Sequence, residues 1–216
     1  MLTLGGLWRY PVKSMAGEPI DVARLTRDGI PGDRLVHVRG PEGVRTARRH
    51  WRLLGLRGSL SSEGVALVNG HRWDAPEAAA LVRDAAGDDA WLAAYDGPER
   101  FDILPLLVAT DGAVRAFGRD IRRLRPNLLI SGVDGMTETT WEERTIAIGQ
   151  ARIYMESLRP RCPMTTVDPD TLERDPAVLK DIGRRFRGRL ALNSAVARDG
   201  VVRVGDPVEL LPDGDR

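Results

Sequence analysis

The strongest constraint on this fold is how often its apolar runs are cut short. Across 216 residues, 23 glycines and 14 prolines leave few stretches long enough for a helix. Residues 2–10 and 20–27 predict short strands, the second alternating Ile20, Val22 and Leu25 with polar neighbours. Pro31-Gly32-Asp33-Arg34 turns into a strand at Leu35–Val38, which sets Arg34 at the mouth of that strand. Arg45–Leu56 fits either helix or irregular coil. Gly64–Trp73 predicts a hairpin turned at Asn69-Gly70, a dipeptide that accepts the positive φ angles of a tight hairpin.

The first helix is expected at Asp74–Ala86, with Asp74 as N-cap and Pro76 in the first turn. Ile103–Ala109 predicts a buried strand, Thr110-Asp111-Gly112 caps a helix to about Phe117, and a strand over Asn127–Ser131 completes one strand, helix, strand unit. Thr145–Ile148 and Ala151–Ser157 flank Gly149-Gln150 as a hairpin, Pro176–Phe186 is helix-like, and Leu190–Ala197 is expected to pair with Val201–Val204. Pro207–Leu211 is the last strand, and the tail 212–216 is expected to fray. Many short strands with few helices define an α+β class, mostly antiparallel, built as a β-rich barrel or closed sheet with helices at its edges.

With 42% hydrophobic and 29% charged residues the chain is globular rather than disordered. Lys and Arg total 32 against 31 Asp and Glu, so no global field draws the molecule to nucleic acid or an anionic membrane, and neither is expected as a partner. Met1–Trp8 lacks the basic flank of a signal peptide, and Phe101–Thr110 is far shorter than the ~20 residues of a membrane span. The only cysteine, Cys162, permits no internal disulfide, which points to the reducing cytoplasm. Only two of the basic residues are lysines, Lys13 and Lys180. Lys180 belongs on a solvated helix face, whereas Lys13 lies in a loop, where a compact ammonium supplies what a planar guanidinium does not.

Chemistry concentrates at Leu158-Arg159-Pro160-Arg161-Cys162-Pro163-Met164-Thr165-Thr166-Val167-Asp168-Pro169-Asp170. Pro160 and Pro163 keep Cys162 out of a helix or strand interior, because each removes a backbone donor and restricts its predecessor. A free cysteine is most often a small buried apolar residue. Here, Arg159 and Arg161 flank it with positive charge that would favour a thiolate nucleophile or soft-metal ligand. A cysteine hydrolase would need His37, His50 or His71 as base, and none stands in a recognisable signature with the cysteine. One Cys and three scattered His lack zinc spacing. Asp168, Asp170, Glu173 and Asp175 read as a polar turn rather than a calcium loop. Lys13-Ser14, Gly32-Asp33-Arg34 and Arg125-Pro126-Asn127 each place a cation at a loop or strand edge, the chemistry a phosphate requires, although any one alone is also an ordinary surface charge.

Leu7-Trp8-Arg9-Tyr10-Pro11-Val12-Lys13-Ser14 with Gly32-Asp33-Arg34, then Arg125–Gly132, Arg161–Asp170 and Val204-Gly205-Asp206-Pro207-Val208, together resemble the MOSC family, specifically the branch of the mitochondrial amidoxime-reducing component and its bacterial relatives. The resemblance implies an N-terminal MOSC β-barrel region over residues 1–95 and a MOSC domain over 96–216. It also implies a molybdenum cofactor (Mo-molybdopterin), with Cys162 as metal ligand and catalytic residue. Lys13, Ser14, Arg34, Arg125 and Asn127 match the family's cofactor contacts, Pro160 and Arg161 adjoin the ligand, and Thr110 and Asp111 fall at a further polar contact whose local sequence departs from the family pattern. The implied activity is reduction of small N-hydroxylated, amidoxime-like substrates, with electrons from separate proteins, a reductase plus an iron–sulfur or haem carrier. The alternative is a sulfur-carrier or cofactor-handling protein that uses Cys162 as a persulfide.

Overall fold

The computed structural model describes residues 1–95, 100–212 and 214. The first half contains β1 (Leu2–Arg9), β2 (Glu18–Pro19), β3 (Val22–Leu25), β4 (Val36–Gly40), β5 (Gly43–Arg45), β6 (Gly58–Leu60), β7 (Ala66–Val68), β8 (His71–Arg72), α1 (Pro76–Ala86) and β9 (Trp91–Ala94). The second contains β10 (Leu106–Thr110), α2 (Asp111–Phe117), β11 (Leu128–Ser131), β12 (Arg144–Ile148), β13 (Ala151–Pro160), α3 (Pro176–Phe186), β14 (Arg189–Arg198), β15 (Gly200–Arg203) and β16 (Pro207–Leu210).

Seven strands close a barrel in the order β1, β11, β10, β14, β13, β12, β16 and back to β1. The first strand of the chain is therefore a stave in a barrel otherwise built from its second half. Leu2 faces Val208 across one seam, and Leu7 faces Leu128 across the other. Close approach at the second seam needs Gly5, since a Cβ there would collide with the Ser131 side chain. Leu4, Leu7, Val108, Leu128, Ile130, Ile146, Ile153 and Leu192 fill the interior, each fully buried aliphatic side chain contributing about 1.5–3 kcal/mol. The parallel pair β10 and β11 flanks α2, as the strand, helix, strand reading requires.

A second core lies against the barrel. Its centre is Val12, Met15, Val36, Val38, Leu53, Val68 and Val82, enclosed by the β5–β4–β9 and β6–β7–β8 sheets and by α1, which buries the i, i+4 stripe Ala78, Val82, Ala86. The β7–β8 turn has Asn69 and Gly70 at φ 49° and 87°, as the hairpin reading expects. A smaller cluster, with Phe117, Val178 and Ile182, packs α2 against α3. The β-rich α+β class, with a closed barrel and, among the described residues, three α-helices, is the observed architecture. The boundary expected between residues 95 and 96 abuts 96–99, and the tail expected to fray includes 213, 215 and 216, all outside the described residues.

Three local expectations are corrected, and one left open is settled. Arg45–Leu56 forms only a short 3-10 helix, Trp51–Gly55. Asp74 does not cap α1: it pairs with Arg72 at 3.1 Å, and the N-cap position is Ala75. The buried strand starts at Leu106, and Ile103 is 47% exposed, because Pro105 withdraws the donor that would extend the ladder. Val201–Val204 does not pair with β14. Both edges of β14 are occupied by β10 and β13, so β15 pairs with β3 instead.

His37 is buried on β4 against the Tyr95 ring, centroids 3.8 Å apart, with neither ring nitrogen partnered among the described residues. Burial, helped by Arg39 and Lys13, lowers its pKa to about 4 from the ordinary 6.5. The unfolded chain therefore binds more protons between those values, and the contribution is complete above about pH 6.5 and lost as pH falls towards 4. Subtracting the unfolding free energy of His37→Phe from that of the wild type across this range should expose a loss of roughly 2–3 kcal/mol. A flat difference would show that His37 is not held neutral.

Candidate functional site

Where the second core meets the barrel mouth, a cleft of about 790 Å³, open side included, is lined by residues from both halves. Lys13, Ser14, Arg34, Arg125, Asn127, Pro160, Arg161 and Cys162 all line it. Eight of the ten residues singled out in the sequence thus meet, although they come from four separated segments.

The cleft is assembled around one buried carboxylate. Asp33 is fully buried and accepts the Tyr10 backbone N–H at 2.6 Å, the Asn127 side-chain amide at 3.3 Å and the Arg34 guanidinium. Burial pushes its pKa upward, and Arg34 and the hydrogen bonds oppose that shift. Asn127 also exchanges bonds with Trp8, its Oδ1 accepts from Leu107 N at 3.2 Å, and Tyr10 Oη donates to the Pro126 carbonyl at 2.9 Å. These contacts bind the N-terminal loop to the start of β11.

Ser14, Arg34 and Arg125 have φ of 71°, 53° and 58°, the left-handed region that costs a non-glycine residue about 1–2 kcal/mol. Three such residues around one cleft indicate that packing enforces the geometry. Arg125 rests over the Tyr10 ring, 4.4 Å to its centroid, and among the described residues its guanidinium makes no hydrogen bond or ion pair. Burial lowers the Arg125 pKa to about 10 and raises that of Tyr10 to about 12.

Cys162 follows β13 and is half-buried, at the N-cap of a 3-10 helix over Pro163–Thr166. The Thr165 N–H and hydroxyl donate to its carbonyl at 3.0 and 2.9 Å, which fixes the loop. Arg123 donates to Thr165 O and Asp168 at 3.2 and 2.7 Å. Asp168 accepts from Asp170 N and Thr171 N at 3.0 Å, the polar turn read from the sequence. Arg161 donates to the Leu124 carbonyl at 2.8 Å, but its buried Nε has no partner among the described residues. Burial lowers its pKa to about 10, with the neighbouring Cys162 opposing the shift.

The structure does not bring Thr110 and Asp111 to the cleft. Thr110 caps α2 through Ala113 N at 3.2 Å and donates its hydroxyl to the buried Glu138 at 2.8 Å; Asp111 accepts from Gly132 N and Val133 N at 3.1 and 3.0 Å. Sequence reasoning missed Arg48, Asp102, Arg123 and Asn193 on the cleft wall. Only Arg123, beside the Arg125-Pro126-Asn127 element, carried a local signal.

The class these features define is a closed β-barrel protein with a cationic cleft centred on a single thiol. Comparison with known sequences is specific: residues 1–100 match the MOSC N-terminal beta barrel domain and residues 109–209 match the MOSC domain. The chain belongs to the MOSC-domain family. It is 27% identical to mitochondrial amidoxime reducing component 2 of Macaca fascicularis over 95% of this chain and 82% of that protein. It is 25% identical to the human component 1 over 97% and 83%. A molybdenum cofactor sulfurase of Anopheles gambiae is 29% identical over 75% of this chain and 17% of its own length. The YuaD protein of Bacillus subtilis shares the fold, with a TM-score of 0.53 at 15% identity, covering 97% of this chain and 96% of that one. No helix among the described residues is long and apolar enough to cross a membrane.

Thr110→Val is expected to lower unfolding free energy by about 1–3 kcal/mol and leave anion binding at the cleft unchanged. Arg125→Gln should show the opposite pattern, with phosphate binding weakened and the unfolding midpoint unchanged or raised. Denaturant unfolding and phosphate titration of both variants check the pair.

Proposed function

We propose that the cleft holds a molybdenum cofactor and that the protein reduces small N-hydroxylated compounds. The observation that carries this reading is the only thiol of the chain set in a wall with Lys13, Arg34, Arg48, Arg123, Arg125, Arg159 and Arg161, against one lining carboxylate among the described residues, Asp102. Among the described residues the Arg125 guanidinium makes only its contact with the Tyr10 ring and the buried Arg161 Nε has no acceptor, which suits a phosphate-bearing pterin. When bound, the cofactor supplies a two-electron centre at which an N–OH compound, two electrons and two protons become the N–H compound and water.

The chain's own residues bind and orient. Cys162 offers a soft thiolate ligand from a loop already fixed by Thr165. Lys13, Arg34 and Arg125 neutralise phosphate, with Lys13 as a point charge and the arginines as planar forks. Arg159, hydrogen-bonded to Asn193 at 3.1 Å, lies on the thiol's side of the cleft and stabilises negative charge there. An adjoining, more apolar cavity shares Arg123, Arg125 and Met164 with the cleft and adds Trp8, Tyr10 and Leu54, a surface suited to the uncharged body of a substrate. Electrons come from separate reductase and carrier proteins.

Molybdenum content per chain, measured by elemental mass spectrometry on wild type and Cys162→Ser from a cofactor-making host, tests the reading. The expected result is near-stoichiometric metal in the wild type and its loss in the variant. Lys13→Ala should retain less cofactor, by about 1.5–3 kcal/mol of binding free energy. A metal-free wild type carrying sulfane sulfur on Cys162 would replace the reductase with a sulfur carrier. A fully loaded Cys162→Ser would remove the cysteine from the site.

A further inference from the structure

Asp102 lines the cleft and collects three cations from three separate parts of the chain. Lys13 Nζ lies 3.1 Å from its Oδ1, and Arg48 and Arg159 lie 2.7 and 3.1 Å from its Oδ2. Lys13 belongs to the loop after β1, Arg48 to the turn before the Trp51–Gly55 helix, and Arg159 to β13. Burial raises the Asp102 pKa, but the cations more than offset this and hold the carboxyl below the ordinary range.

The other carboxylates around the site are built into the scaffold. Asp33 takes the Tyr10 N–H, and Asp168 takes two backbone N–H groups. Asp102 takes none among the described residues, and residues 101–104 belong to no helix or strand. A side chain held only by other side chains, on irregular backbone, moves at small cost. Its two oxygens are also a poor geometric match, since Oδ1 takes Lys13 while Arg48 and Arg159 share Oδ2. A phosphate monoester carries about −1.5 to −2 near neutral pH and offers three acceptor oxygens, closer to what the three donors require.

We infer that Asp102 is an internal surrogate for the ligand's phosphate, and that Lys13, Arg48 and Arg159 form a phosphate seat which this carboxylate occupies until a phosphorylated ligand displaces it. The seat adds Arg48 and Arg159 to the residues that receive the anion and makes loading competitive with an intramolecular ion cluster. The inference rests on the proposed function only for the identity of the molecule that carries the phosphate.

The experiment is titration of the full, cofactor-free chain with inorganic phosphate, followed by phosphorus NMR at fixed ionic strength. Asp102→Asn keeps the shape and removes the charge, and is expected to bind phosphate about tenfold more tightly than wild type, since two or three partly exposed ion pairs no longer compete. Asp102→Asn binding that is equal to or weaker than wild type would overturn the inference, showing the carboxylate to be a brace that organises the cations. Arg48→Gln, at a half-exposed position that leaves the fold intact, is expected to weaken phosphate binding severalfold, and unchanged binding there would equally overturn it. Phosphate results that fail while molybdenum is retained would count against the seat alone, whereas a chain that binds phosphate as expected yet never carries molybdenum would count against the cofactor alone.

Discussion

The buried contact between Asp33 and Asn127 is the interaction on which the cleft depends. A fully buried carboxylate is costly unless its acceptor sites are filled, and here they are filled from Tyr10, Arg34 and Asn127 at once. Satisfying that one group fixes the position of the N-terminal loop relative to the start of β11. It also sets Arg34 and Arg125 near the same aromatic ring, 5.3 and 4.4 Å from its centroid. The cost of burying Asp33 is thus offset by the contacts that align two cations along the cleft.

Those cations lie in an unfavourable setting. Burial lowers the pKa of Arg125, Arg159 and Arg161, the sign that the protein environment stabilises their charge less well than water does. Proteins retain such strain where a ligand relieves it. The left-handed backbone at Ser14, Arg34 and Arg125 belongs to the same pattern, since local conformation is held by surroundings and not by preference.

Much of this was legible in the sequence because the signals are local. The Asn69-Gly70 turn, the Thr110 cap on α2, the hairpin at Gly149-Gln150 and the exclusion of Cys162 from regular structure each follow from a few neighbouring residues. What was hidden is non-local. Val201–Val204 looks like a partner for β14, yet closure uses both edges of β14 and sends β15 to β3. Asp102 interrupts an apolar run and carries no mark of its three distant cations. Thr110 and Asp111 show the converse, with polar residues near a motif serving the helix cap and the loop after β11, and not the cleft. Family resemblance brought the remaining eight residues together because composition and spacing carry no distance between loops.

The barrel is closed by its first strand, with Leu2 and Thr3 lying opposite Val208 and Pro207. During synthesis β1 is made long before β16 and finds this partner only once β16 has left the ribosome. Until then, its apolar face is exposed to chaperones and to other chains. Closure therefore waits on β16, because it is set by a contact between strands far apart in the sequence. A cleft lined by both Lys13 and Cys162 does not exist until both halves of the fold are in place, so folding of the barrel precedes entry of any prosthetic group.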